Sequence, residues 1–205
     1  MNRVLKRAFD LILSILFLLI TSPFLLGIAV AIKLDSPGPI LFKGNRVGVD
    51  GAGFSILKFR TMVDDPGSSG PAVTGKKDQR ITRVGGFLRT YKLDEIPQLL
   101  NVIKGEMSLV GPRPEDPKYV AHYTPEQRKV FSVRPGIASP AAVKFRHEEQ
   151  ILADVPANKL DQVYLQDILP EKLALDLEYL EKQSLSRDIE ILFAAVGSSL
   201  RNAGS

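Results

Sequence analysis

The sequence contains no cysteine, and its 205 residues include only two histidines, His122 and His147. Disulfides, thiolate nucleophiles and cysteine-ligated zinc are excluded, and a histidine-based triad or His-rich metal centre has too few donors. Repeats and low-complexity tracts are also missing. Any chemistry must therefore rest on carboxylates, cations and backbone groups. Lys and Arg total 27 against 23 Asp and Glu, a formal charge of +4, which fits an anionic partner: acidic lipid, a phosphorylated substrate or nucleic acid. The length suits one domain with a sizeable core once an apolar N-terminal segment is set aside.

That segment runs from Leu11 to Ile32, 22 residues without a formal charge, bounded by Asp10 and Lys33. It reaches the roughly 20 residues of a bilayer-spanning helix and exceeds the ~7–15 of a signal-peptide core, although Arg3, Lys6, Arg7 and Ala29-Val30-Ala31 have the look of a cleavable leader. Basic residues flank both ends: Arg3, Lys6 and Arg7 before, Lys33, Lys43 and Arg46 after. Positive charge on both sides asks for both flanks to be cytosolic. Ser22-Pro23 lies mid-segment, where proline removes a backbone donor and serine can bond a freed backbone group. A kinked helix that enters and returns satisfies both facts; a spanning helix with a proline kink is the alternative.

Beyond the breaker cluster Asp35-Ser36-Pro37-Gly38-Pro39, the runs 40–43 and 54–60 read as two strands of a hairpin whose turn holds Gly48, Gly51 and Gly53. The stretch from Asp64 to Lys77 reads as a loop. Within it, residues 70–77 approach a phosphate-binding P-loop, but Lys77 stands where Ser or Thr is needed, so chance resemblance is the better reading. Leu93, Ile96, Leu99, Leu100 and Ile103 recur at helical spacing, with Pro97 expected in the first turn and Gly105 marking the end. Thr124 to Gln127 form a capping-box pattern. Residues 171–182 and 188–200 read as two amphipathic helices, packed on the core or lying on a lipid surface.

Asp94 and Glu95 fall at the start of the predicted 93–103 helix, where the macrodipole favours ionised carboxylates. Alone, such a pair is usually a capping feature. Its neighbours in sequence include Lys58, Arg60, Arg80, Arg83, Arg89, Lys92 and Arg113. A carboxylate pair amid cations can hold a phosphate-bridging divalent ion, supply a nucleophile or form ion pairs. In Gly111-Pro112-Arg113-Pro114, two prolines restrict the backbone around one arginine, which suits a guanidinium that meets phosphate in a fixed geometry. Arg134-Pro135-Gly136 is a second rigid basic turn.

Taken in order, Ser22-Pro23, Ser36-Pro37-Gly38-Pro39, Lys58-Phe59-Arg60-Thr61-Met62, Arg80-Ile81-Thr82, Leu93-Asp94-Glu95-Ile96-Pro97-Gln98, Asn101, the run from Gly105 to Pro114, and Arg134-Pro135-Gly136-Ile137 resemble the bacterial sugar transferase family, the monotopic phosphoglycosyl transferases. The resemblance covers nearly the whole chain. It implies an α+β, predominantly helical protein: a re-entrant membrane helix over 1–35 that breaks at Ser22-Pro23, then a cytosol-facing domain over 36–205 with a small β-hairpin and amphipathic membrane-surface helices around a compact catalytic core. It implies transfer of a phosphosugar from a UDP-sugar donor to a polyprenyl (undecaprenyl) phosphate acceptor, at the cytosolic face of the bacterial inner membrane, with release of uridine monophosphate and no nucleic acid partner. Asp94 would be the nucleophile, forming an aspartyl-phosphosugar; Glu95, the second catalytic residue, would bind metal or handle a proton, Asp94 and Glu95 together being the Mg2+ ligands, and Arg113 would bind phosphate. Lys58, Arg60 and Arg89 join as phosphate-binding helpers on charge. Membrane lipid is a further expected partner, and a homo-oligomer remains open. From Ala138 to His147 the chain departs from the Thr-Gly and Val-Asn-Gly-Arg pattern of many relatives, which leaves the sugar unassigned. Two other functions compete: a metal-dependent phosphohydrolase and a noncatalytic basic membrane-binding module.

Overall fold

A computed structural model of the protein describes residues 2–63, 78–153 and 155–201. The expected loop from Asp64 to Lys77, with the P-loop-like stretch 70–77, lies outside the described residues. Helix α1, Arg3–Asp35, is 33 residues long. Asn2 caps it, accepting from the backbone N–H groups of Val4 and Leu5 at 3.0 and 3.3 Å. Pro23 lies inside it and has no N–H to give the Leu19 carbonyl. The Ser22 hydroxyl donates to that carbonyl at 2.9 Å, so the expected repair by serine is made. Side chains such as Ile12, Phe17, Leu19, Ile20 and Leu26 are exposed. Among the described residues α1 is the one helix long and apolar enough to cross a membrane.

Both ends of α1 dock on the rest of the chain. Strands β1 (Leu41–Val47) and β2 (Gly53–Phe59) pair antiparallel, from Leu41 opposite Phe59 to Val47 opposite Gly53. The hairpin is as expected, with β1 longer and its turn shorter. Helix α2, Arg83–Thr90, follows, then a single 3-10 turn at Leu93–Glu95 and helix α3, Gln98–Lys104. Near the carboxyl end of α1, buried Ile28 and Ile32 pack with Phe59 and Leu88. The buried Arg60 guanidinium donates to the carbonyls of Ile32, Ser36 and Pro37 and to the Ser36 hydroxyl, at 2.7–3.3 Å. A helix end leaves carbonyls without partners, and Arg60 supplies donors to that end.

Strand β3, Ser108–Val110, pairs in parallel with β4, Gly136–Ala138, a pairing the sequence reading lacks. It joins the two rigid basic turns: Gly136 N–H donates to the Pro112 carbonyl at 2.8 Å and Gly111 N–H to that of Ala138 at 3.1 Å. A Cβ on Gly136 would stand 2.1 Å from the Gly111 nitrogen, so the backbones need glycine here to approach. Short helices α4 (Pro117–Val120), α5 (Pro140–Lys144), α6 (Glu148–Ile151) and α7 (Leu160–Val163) lead through a π turn at Tyr164–Ile168 to α8, Leu169–Glu181, and α9, Leu185–Arg201.

The main core gathers Tyr119, Val130, Leu152, Tyr164, Leu169 and Leu173. A second joins Leu99, Val110, Tyr179 and Ile191. Helix α8 therefore takes the core-packing option of the two expected for it. Helix α9 has two faces, with Asp188 and Ile191 buried and Ile189, Phe193 and Val196 exposed. At the amino end of α1, Lys6 bridges Asp10 at 2.7 Å and Asp188 of α9 at 2.9 Å. Asp10 accepts from the Ser108 hydroxyl at 2.7 Å, and Asp188 from the Tyr179 hydroxyl at 2.6 Å. All five side chains are buried, so each charge there needs its partner.

Candidate active site

Asp94 and Glu95 stand in the 3-10 turn, after Lys92 in a left-handed conformation at φ 56° and before Pro97, which occupies the cap position of α3. The expected α-helix from Leu93 with Pro97 in its first turn is corrected: α3 starts at Gln98. The ladder breaks because Pro97 has no N–H to offer Leu93, and the segment winds on i→i−3 bonds such as Ile96 N–H to Leu93 and Leu100 N–H to Pro97. The Gly105 stop holds, in the left-handed region at φ 92°.

Asn101 fixes the turn to the hairpin. Its side-chain amide donates to the Ser55 carbonyl at 2.8 Å and to Glu106 at 2.7 Å, and its oxygen accepts from Leu57 N–H at 3.0 Å. That brings Lys58, at the end of β2, over the pair. Lys58 Nζ lies 2.7 Å from Glu95 Oε1 and 3.9 Å from Asp94 Oδ2. Arg113 Nη2 reaches the same Glu95 Oε1 at 3.1 Å. The Arg113 backbone is held in turn, its N–H donating to Asp176 Oδ2 of α8 at 2.9 Å.

The two acids thus become unlike. Burial would raise Glu95, but Lys58, Arg113 and Lys92 outweigh it and hold its carboxyl well below the usual range. Burial raises Asp94, an effect that Glu95 reinforces and that Lys58, Lys92 and Arg89 only partly oppose. The macrodipole expectation therefore fails for Asp94, because one 3-10 turn has little dipole to set against desolvation. Asp94 Oδ1 is buried with no hydrogen-bond partner among the described residues. Such an oxygen is costly to leave unsatisfied.

The structure brings together Asp94, Glu95, Lys58 and Arg113, and Arg89 acts on Asp94 through its charge. It does not bring Arg60 to the pair, because its donors are engaged at the end of α1. Arg134 likewise serves structure, donating through Nε to the Gly105 carbonyl at 2.8 Å. Asp176 went unseen in sequence reasoning; it lies 63 positions from Arg113 in a helix whose period reads only as amphipathic. Burial pushes its carboxyl up to about 6, against donation from the Arg113 and Ala141 amides. Lys92 carried a signal, a cation two positions before Asp94.

No group of three or more His, Asp or Glu converges among the described residues. Magnesium commonly takes one or two carboxylates and completes its shell with water and substrate phosphate. Asp94, with its unsatisfied oxygen, and Glu95 fit that demand.

The family model described as bacterial sugar transferase matches residues 1–202. The chain is 38% identical over 199 residues to the UDP-glucose:undecaprenyl-phosphate glucose-1-phosphate transferase of Caulobacter vibrioides, covering 95% of this chain and 69% of that protein. It is 40% identical over 207 residues to the exopolysaccharide production protein PSS of Rhizobium leguminosarum, covering 98% and 97%. The Escherichia coli K12 protein that shares the Caulobacter name is 38% identical over 202 residues, covering 95% of this chain but 40% of that protein.

Proposed function

Because the chain belongs to the bacterial sugar transferase family, we propose that it moves a sugar 1-phosphate from a UDP-sugar to undecaprenyl phosphate, with Asp94 as the nucleophile. The observation that carries this reading is the unsatisfied, buried Asp94 Oδ1 beside a Glu95 already committed to Lys58 and Arg113. The Asp94 carboxylate attacks the phosphorus bearing the sugar. The bond from that phosphorus to the bridging oxygen breaks, and uridine monophosphate departs with the electron pair. A phosphate oxygen of the acceptor then attacks the same phosphorus, returning the carboxylate and giving a polyprenyl diphosphosugar. A carboxylate leaves well from such a mixed anhydride.

Glu95 is a poor base, being held ionised by its cations. Its role is to position Lys58 and Arg113 against the donor phosphates, where charge-assisted bonds neutralise the phosphoryl oxygens. Asp94 and Glu95 would hold magnesium, which when bound neutralises phosphate charge. UDP-glucose is the first donor to test, since relatives carry that name.

Re-entry of α1 is part of the same reading. Its amino end is docked through Lys6 and Asp10 and its carboxyl end through Ile32 and Arg60, both on the elements that build the site, while the side chains between are largely apolar and exposed. Both ends docked on the rest of the chain, with basic flanks, support a helix that enters the cytosolic leaflet and returns, although Arg3–Asp35 is continuous rather than broken at Ser22-Pro23, so the bend at Pro23 belongs to the proposal. The exposed face of α9 would rest on the same inner-membrane surface.

The test is acceptor-dependent turnover with magnesium, UDP-glucose and undecaprenyl phosphate. Wild type should release uridine monophosphate and place glucose phosphate on lipid, and Asp94→Asn should do neither. Full activity in Asp94→Asn would sink the mechanism, and free glucose 1-phosphate without acceptor would mark a hydrolase instead.

A further inference from the structure

Three carboxylates act on Arg113 by charge: Glu95, Glu148 and Glu115. Two of them have other duties. Glu95 meets Lys58 and Arg113 in the catalytic turn. Glu115 is committed to structure, its Oε1 accepting from the Asp116 N–H at 3.0 Å and its Oε2 from the Tyr164 hydroxyl. Glu148, at the start of α6, gives Oε2 to Lys172, and its side chain is 22% exposed. It lies within the electrostatic reach of the phosphate-binding arginine without belonging to the catalytic turn.

Its position is fixed from behind. The Lys172 side chain is buried, 7% exposed; its ammonium donates to the Tyr164 hydroxyl at 3.2 Å and lies 4.8 Å from the centre of the Tyr164 ring and 6.0 Å from that of Phe145. A buried ammonium needs an acid beside it, and this one holds the Glu148 carboxylate in place. One turn along the same face of α8, Asp176 accepts from the Arg113 N–H at 2.9 Å. Helix α8 therefore ties Glu148 and the Arg113 turn to one face, through Lys172 and Asp176.

A further carboxylate beside a phosphate-binding arginine is unfavourable for the phosphates, because it repels them and competes for the same guanidinium. It suits a neutral hydroxyl, which donates to a carboxylate more strongly than to an uncharged acceptor. In a nucleotide sugar each phosphate carries a hydroxyl-bearing ring, the hexose on one and the ribose on the other. The geometry points to Glu148 as the acceptor that reads a hydroxyl of one of these rings while Arg113 holds the adjoining phosphate, with Lys172 positioning the carboxylate. The assignment rests on the UDP-sugar donor proposed above and adds the group that selects it. Glu148 directly follows Ala138 to His147, the stretch whose departure from many relatives leaves the sugar unassigned.

Donor binding is measured by calorimetry on the full chain in nanodiscs with magnesium, carrying Asp94→Asn so that no adduct forms. The donors are UDP-glucose, its four monodeoxyglucose analogues, and its 2′- and 3′-deoxyuridine forms. One deoxy donor should bind about tenfold more weakly than UDP-glucose, as the loss of a hydrogen bond to a charged group predicts. Adding Glu148→Ala with Lys172→Met removes the acceptor and its buried cation together. That donor and UDP-glucose should then bind within about twofold of each other, the signature of a deleted pairwise contact, while the other deoxy donors keep their ratios. Glu148→Gln, which keeps the shape and serves where the double variant does not fold, should shrink the same penalty. A sensitive hexose analogue makes Glu148 a sugar selector, and a sensitive ribose analogue a nucleotide selector. Equal losses for every donor, as a purely structural pair would give, or deoxy penalties that all survive the substitutions overturn the assignment. Failure of UDP-glucose and every analogue to bind before Glu148 is altered would instead sink the donor proposed above, and this assignment with it.

Discussion

Replacing Lys6 with Met tests the docking of α1 at its most buried point. Lys6 is the cation between Asp10 and Asp188, at 2.7 and 2.9 Å, and these side chains are 9%, 3% and 0% exposed. The variant leaves two carboxylates together without their cation. Breaking a buried pair by removing one partner costs about 3–5 kcal/mol, and a chain of this size shifts its midpoint by roughly 2–4 °C per kcal/mol. Together these give a loss of roughly 6–20 °C. The chain has no tryptophan, so unfolding is best followed by circular dichroism at the helical band, on full-length protein in one detergent. Lys6→Met combined with Asp188→Asn removes one of the stranded charges. It should recover more than half of the loss, because Asp10 keeps its bond from the Ser108 hydroxyl. A midpoint within about 2 °C of wild type in the single variant, against the several expected, would refute the claim that this network pins the helix.

Other outcomes follow from the site and its supports. As the proposed nucleophile Asp94 must be ionised to attack, and burial raises its carboxyl, so turnover should rise with pH through a limb above that of an exposed aspartate; Lys58→Met should move the limb to higher pH, and an unmoved limb would exclude Lys58 as the counter-charge. Asp176 is raised from 3.8 to about 6, so it favours folding fully below pH 3.8 and loses that contribution as pH rises through 6. Asp176→Asn, which keeps an acceptor for Arg113, should gain up to about 3 kcal/mol at pH 7 and nothing near pH 3, as denaturant titrations at both pH values would reveal. Gly136→Ala drives a Cβ to 2.1 Å from the Gly111 nitrogen and should cost more than about 4 kcal/mol or prevent folding, whereas Gly53→Ala, with nothing within 4 Å, should remain within about 1 kcal/mol by the same denaturation assay.

The hairpin and the stop at Gly105 were legible because their signals are local: two apolar runs around glycines, and one glycine past a helical period. The Thr124 capping box forms as read, with Gln127 N–H on Thr124 and Thr124 N–H on the Gln127 side chain, although a 3-10 helix follows, Gln127–Ser132. Helix α2 went unassigned in sequence, because Gly85 and Gly86 are poor helix formers in the middle of a short segment. Gly85 is there for close approach, since a Cβ would lie 2.1 Å from the Thr61 carbonyl oxygen. The β3–β4 pair was invisible because three residues per strand give no period to read. Of the site, Asp94, Glu95, Lys58 and Arg113 were legible as charges near one another in motif order. Arg60 shows the limit of that reasoning: charge alone does not distinguish a phosphate ligand from a cap on a helix end. Nor could sequence show that adjacent acids would be driven apart in acidity, which depends on which of them the cations reach.

If α1 is re-entrant as proposed, its two docking points also fix a depth. In the re-entrant reading, the helix has no second surface to reach, so its length need not match the thickness of a bilayer, and the mismatch that sorts spanning helices among membranes has no hold on it. What matters is how far Pro23 lies from Lys6 on one side and from Arg60's carbonyls on the other. In the proposed re-entrant placement that interval would act as a keel, setting how low Asp94 rides against the lipid headgroups.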